Sequence, residues 1–309
     1  MKVKWFVLLA LTLALLTFLT LIACARADTT VENNAATVRV GVWLVNIEKV
    51  DLSANSYKLD FYLWFKSSDL GLDEIGEFEF VNGFPTKYTI TADEEQGYLE
   101  YRVRGDFIRT FDFTRYPFET HRLTVELEHK SLNASYLVFE VDPNSNIDEA
   151  INVAGWNVGN FEISVTEHSY GEETYSRFVF SVTLSRPSLS SFIKSVLPIS
   201  VITTISLLSF FISPQNFAQR IGLGVTTLLS ATAFHLSLIS GIPPTGYLTL
   251  ADRIMLSIYC IFLYNLSASV YIMKLVDAKK TEEAQKFNGK ALKILPILII
   301  ALILAQLIF

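Results

Sequence analysis

Hydrophobic and polar positions alternate with a period of two in six stretches of the first half of the chain: 38–45, 57–65, 99–103, 122–128, 161–166 and 178–184. In an extended chain this period sends successive side chains to opposite faces, so each stretch predicts a strand with one buried face. Asp142-Pro143-Asn144 and Tyr170-Gly171 supply turn chemistry between strands. Short strands at near-regular spacing, with no comparable helical stripe, predict an all-β sandwich over residues 28–190.

After Ser190 the alternation stops and continuous apolar runs take over, at about 192–212, 216–240, 248–276 and 291–309. Each is close to the ~20 residues that cross a bilayer as a helix. Pro198 falls inside the first, while Pro243, Pro244 and Gly246 separate the second from the third. Residues 191–309 therefore read as a four-helix transmembrane domain. At the other end, Lys2 and Lys4 precede an apolar stretch from Trp5 to Ala23, and Ala25-Arg26-Ala27 offers a cleavage site, so 1–27 reads as a signal peptide. Leu21-Ile22-Ala23-Cys24 is alternatively a lipoprotein box, and a retained anchor is a third option. All three export the sandwich. Lys274, Lys279, Lys280, Lys286, Lys290 and Lys293 cluster around the connection between the third and fourth helices, which the positive-inside rule makes cytoplasmic. The C-terminus then lies outside the cell membrane, with the N-terminal domain.

The second apolar run carries Thr226, Thr227, Ser230, Thr232, His235, Ser237 and Ser240, too many polar groups for a helix wholly in lipid. At helical spacing Ala218, Gly222, Thr226, Leu229, Ala233, Leu236 and Ser240 share one stripe. Small and hydroxyl residues below bulky leucines describe a water-lined wall with an apolar constriction, which can gate by dewetting. The hydroxyls could equally bond back to helix carbonyls or tie helices together. One such helix cannot enclose a pore, so the pore reading needs a ring of subunits.

Charge sharpens this picture. Residues 28–189 hold 27 Asp or Glu against 13 Lys or Arg, a net of about −14 that disfavours nucleic acid as a partner. Cys24 and Cys260 lie outside the sandwich, so it holds no internal disulfide. No metal-ligating or nucleophilic motif and no phosphate loop is present, which argues against an enzyme, a bound metal or a cofactor. His121, His129 and His168 read as ordinary surface histidines. His235, within the bilayer, is a candidate proton sensor or a neutral imidazole hydrogen-bonded between helices.

Three motifs in this order resemble the pentameric ligand-gated (Cys-loop type) channels, prokaryotic members above all. Phe113-Thr-Arg-Tyr-Pro-Phe-Glu119 is similar to the loop at the base of their sandwich, with Glu119 in place of the usual Asp. Arg220 to Leu229 is similar to the pore helix of anion-conducting members. Pro198 matches a first-helix proline, and Gly155-Trp156 a pairing common late in the sandwich. Arg109 and Leu123 stand where animal members carry the loop cysteines. The segment from Phe65 to Phe78 is short and lacks the family tryptophans, and 142–152 supplies no aromatic ring, so the ligand cage is incomplete.

The resemblance implies a homopentamer around a central pore, each chain contacting four identical subunits, lipid and permeant inorganic ions. A small-molecule or proton agonist would bind between sandwiches, at segments containing Tyr62, Phe80, Tyr170 and Tyr175. It implies coupling to the pore through Asp51, Pro117, Glu119 and Arg186, the last two as a buried ion pair, acting on the link Gly241 to Thr249. Ala218 and Gln219 occupy the end where cation-selective members carry a glutamate, which favours anions, while the acidic sandwich favours cations. Charges in the narrow part are screened least, so the balance goes to anions. The competing class is a membrane-anchored sandwich sensor that does not conduct.

Overall fold

The computed structural model describes residues 35–306. The predicted signal peptide and Cys24 lie outside the described residues. Two sheets stack face to face. The first runs β4–β5–β2–β1–β7, with β8 also pairing β1. Its strands are β1 (Ala36–Asp51), β2 (Ser56–Lys66), β4 (Thr86–Asp93), β5 (Tyr98–Ile108), β7 (Leu137–Val141) and β8 (Asn146–Ile147). The second runs β3–β6–β10–β9, from β3 (Phe78–Phe80), β6 (Thr120–His129), β9 (Asn157–Tyr170) and β10 (Glu173–Ser185). A short helix, α1 (Leu72–Ile75), precedes β3.

The alternation explains the core. Val38, Val40, Val42 and Leu44 of β1 point inward with Leu59, Phe61 and Leu63 of β2, against Leu123, Val125, Phe178 and Phe180 of the second sheet. Phe61 and Phe180 meet edge to face across the gap, ring centres 5.0 Å apart. Tyr57 bridges the sheets, donating to the Thr124 carbonyl and accepting from the Thr124 N–H at 3.1 Å. Gly41 is required where it stands, because a Cβ there would sit 2.1 Å from the Trp64 ring.

Each of the six alternating stretches lies inside an observed strand. β3, β4, β7 and β8 carry no such signal. β4 is exposed along nearly its whole length in one chain, so no buried face imposes a pattern, and β8 has only two residues.

Four helices follow, each long and apolar enough to cross a membrane: α2 (Ser188–Phe211), α3 (Phe217–Ile239), α4 (Leu250–Asp277) and α5 (Thr281–Ala305). In α2 one turn, Phe192–Val196, widens to π spacing just before Pro198, which has no N–H to continue the ladder. α5 begins ten residues before its apolar run, because polar turns carrying Lys286 and Lys290 extend the helix. The link to α4 thus shrinks to Ala278, Lys279 and Lys280, with Lys279 at φ 60°. Lys286 and Lys290 therefore stand on a helix and not in a loop.

Candidate functional site: domain junction and pore face

The sandwich meets the membrane domain through the loop from Arg109 to Glu119. An α-helix leaves its first N–H groups without partners. For α4, the Leu250 N–H donates to the Thr114 carbonyl at 2.9 Å and the Ala251 N–H to the Tyr116 carbonyl at 3.0 Å. Thr249 and Asp252 complete a capping box beside them. The Tyr116 hydroxyl donates to the Leu238 carbonyl of α3 at 2.8 Å. The Tyr247 hydroxyl accepts from the Phe113 N–H at 2.9 Å. The base loop is therefore fastened to α3, to α4 and to the link between them.

Glu119 closes that loop and is 1% exposed. Arg186 directly follows β10, and its Nε donates to Glu119 Oε1 at 2.9 Å while its N–H donates to the Glu119 carbonyl at 3.1 Å. The guanidinium lies over the Trp156 ring, 4.2 Å from its centre. Gly155, at φ +82°, makes the turn that presents Trp156 there. Pro117 follows Tyr116 in the same loop and lines a cleft of about 320 Å³ with Arg186 and Lys194. Asp51 is placed elsewhere: it pairs with Lys49 at 2.8 Å and accepts from the Ala54 N–H, shaping the β1–β2 turn.

On α3, Ala218, Gly222, Thr226, Leu229, Ala233, Leu236 and Ser240 are all exposed in the single chain, Leu229 to 66%. The opposite face, Arg220, Gly224, Thr227 and Ala231, is buried. Arg220 is wholly buried and donates to the Ile212 carbonyl and to Asn288 of α5, both at 2.9 Å. Its charge faces the bundle and not the stripe. Thr227, Ser230, Thr232 and Ser240 bond back to helix carbonyls, as hydroxyls in membrane helices do.

The aromatic candidates separate. Tyr62 lies on β2 under the Arg102 guanidinium, 4.3 Å from its ring centre. Phe80 is half-buried among Phe61, Phe78 and Phe107 and belongs to the core. Tyr170 and Tyr175 stand together at the β9–β10 hairpin, ring centres 5.9 Å apart. Beneath them Arg177 donates to Glu126 and Glu128 at 2.7 and 2.6 Å and to the Tyr170 hydroxyl at 3.0 Å. Burial and Glu128 raise the Tyr170 hydroxyl above its ordinary pKa.

His235 sits between helices, 3.1 Å from the Tyr259 hydroxyl and 3.0 Å from Asp252, both on α4. Two other histidines depart from the surface placement. His121 is 3% exposed and His129 is equally enclosed, its Nε2 within 2.9 Å of the Glu74 carbonyl. The signal lay in the phase of β6: His121, Leu123, Val125, Leu127 and His129 are spaced by two and share the inward face. Buried Asp142 anchors its loop, accepting from Trp64, Lys66 and Asn144. Burial alone would raise its carboxyl, but those donors prevail and hold it at about 2.

A β-sandwich docked on four membrane helices, one with an uncovered polar stripe, defines a multi-pass pore-forming subunit of the cell membrane. The profile of the neurotransmitter-gated ion-channel transmembrane region matches residues 195–299. A proton-gated ion channel of Gloeobacter violaceus is 24% identical over 253 residues, 73% of this chain and 70% of the relative. A bovine gamma-aminobutyric acid receptor subunit pi is 24% identical over 198 residues, 60% of this chain and 45% of its own length. The pH-sensitive chloride channel 2 of Drosophila melanogaster is 29% identical over 162 residues, 49% of this chain and 31% of its own. The chain spans less than half of either animal relative. These similarities support a pentameric ligand-gated ion channel of the Cys-loop superfamily, through its transmembrane region above all.

Proposed function

We propose that five copies of this chain form a homopentameric, anion-conducting channel opened by an extracellular small molecule or by protons. The observation that carries this reading is the two-faced α3. Its stripe from Ala218 to Ser240 is uncovered in one chain while Arg220, Gly224, Thr227 and Ala231 are packed. A ring of subunits turns such a stripe into a pore wall, with Leu229 as an apolar constriction. The selectivity reading rests on residues 211–224, which contain no acid. Tyr170 and Tyr175 of one copy would face the Tyr62 side of the next, forming the agonist site. The named relatives include a proton-gated channel and gamma-aminobutyric acid receptor subunits, which supports both agonist classes. The test is native mass measurement of the purified protein, followed by current recording in bilayers across a ligand and pH panel. A pentamer with agonist-dependent current is expected; a stable monomer or dimer that never conducts would end the reading.

A further inference from the structure

His121 sits at the centre of the domain junction and is used by none of the contacts described above. Its ring is enclosed by Phe111, Phe113 and Trp156, at centre distances of 4.6, 5.4 and 5.5 Å. Its Nε2 is buried without a hydrogen-bond partner among the described residues and points towards Glu119 Oε1, 3.9 Å away. Glu119 Oε2 is likewise buried and unpartnered. Two orphaned polar atoms, a ring nitrogen and a carboxylate oxygen, thus stand side by side behind the Glu119–Arg186 pair. Buried polar groups are almost always satisfied, so such a pair marks an incomplete interaction.

We infer that His121 is the third member of the coupling junction, a positioning residue that takes up a proton on acidification and thereby shifts the junction out of this conformation. The inference rests on the channel reading and names a form of its regulation. The charged groups around the ring are Glu119, two residues before it, Arg186, just past β10, and Asp112 from the base loop. Burial, seconded by Arg186, holds the imidazole at about 4, below its ordinary 6.5. A folded-state pKa that is lowered in this way means the neutral ring is compatible with the enclosure and the charged ring is not. The conformation described therefore loses stability as pH falls below about 6.5 towards 4. A charged imidazole must either reach water or compete with Arg186 for Glu119. Either change pulls on the loop that caps α4, and so on the link between α3 and α4.

The test uses the full-length protein and protons as the only added ligand. Trp156 reports directly, because a protonated imidazole 5.5 Å away quenches indole emission; a Trp156→Phe protein supplies the signal of the other tryptophans. The Trp156 component should titrate with a midpoint between about pH 4 and 6.5 in the wild type and be flat in His121→Gln. His121→Phe, which fills the ring enclosure, provides the same comparison if the Gln protein folds poorly. Currents should depend on pH between about 6.5 and 4 in the wild type, and that component should vanish in both variants. An unchanged emission midpoint in both variants overturns the inference, and so does a conducting protein whose pH profile ignores both substitutions. If the emission transition depends on His121 but nothing conducts under any condition, the proton site stands and the channel reading falls.

Discussion

Removing Arg186 and neutralising Glu119 should have unequal effects, and the geometry gives the size of the difference. Arg186→Ala leaves the Glu119 carboxylate almost fully buried with no cation on it and only a neutral His121 nearby. Breaking a buried pair from that side costs ~3–5 kcal/mol, and the lost stack on Trp156 adds ~0.5–1 kcal/mol. Arg186 keeps 28% of its side chain in contact with solvent, which discounts the total to slightly below the low end of that sum, about 3 kcal/mol per subunit. Glu119→Gln keeps an acceptor for the Arg186 Nε and lets the guanidinium turn to water. Its cost is the charge-assisted part of one hydrogen bond, about 1 kcal/mol. The difference of about 2 kcal/mol corresponds to roughly 30-fold in the junction equilibrium. The assay is thermal unfolding of the purified protein together with agonist dose–response. Melting temperature should fall in the order wild type, Glu119→Gln, Arg186→Ala. The double variant should lie above Arg186→Ala, because it leaves no buried charge, and the resulting double-mutant cycle isolates the pair. Equal single effects that simply add would refute the buried-pair account.

Three further outcomes follow from other parts of the chain. Leu229→Ser should wet the constriction, giving a standing leak or raised agonist sensitivity in single-channel records; unchanged activation and leak in an assembled protein would remove Leu229 from the gate. Gln219→Glu should move the reversal potential in asymmetric NaCl towards sodium, while Gln285→Glu, on α5, should do much less; an unmoved potential would mean residue 219 does not face the ion path. Asp142→Asn should cost about 1.5–3 kcal/mol of sandwich stability, because the buried carboxylate accepts from Lys66, Trp64 and Asn144. Its depressed pKa makes that contribution present above about 4 and lost as pH falls towards about 2, so melts between pH 4.5 and 2.5 should drop more steeply in wild type than in Asp142→Asn.

The strands legible in the sequence are those with one buried face. Val38, Val40, Val42 and Leu44 of β1, or Phe178, Phe180, Val182 and Leu184 of β10, are spaced by two because a core lies on one side. β4 has no such side within one chain, and its Tyr88 and Ile90 are exposed. On α3 the same rule works twice over. Spacing identifies the stripe from Ala218 to Ser240, and the complementary spacing of Arg220, Gly224, Thr227 and Ala231 marks the packed face. A charged residue in that second set escapes any hydropathy pattern, because Arg220 is buried by its bonds to Ile212 and Asn288. His121 escapes for the same reason: its phase on β6 is that of the core, but its side chain is polar.

The base loop joins these parts into one mechanical unit. Its carbonyls cap α4, its Tyr116 hydroxyl holds the end of α3, and its last residue carries the carboxylate for Arg186. The Thr114 and Tyr116 carbonyls satisfy N–H groups that the start of α4 would otherwise leave unpaired, so moving one without the other would break those bonds. Loop and α4 start are thus bound to move together. The part of the link with room to change its angle is 241–246, where Gly241 and Gly246 have loose surroundings and Pro243 and Pro244 stiffen the chain between them. On the coupling we propose, a displacement arriving at Glu119 would bend that segment and tilt α3. The packed face of α3 is tied to α4 by His235, which meets Asp252 and Tyr259, and to the Ile212 carbonyl and α5 by Arg220, so any turn of the stripe involves the whole helix and its neighbours.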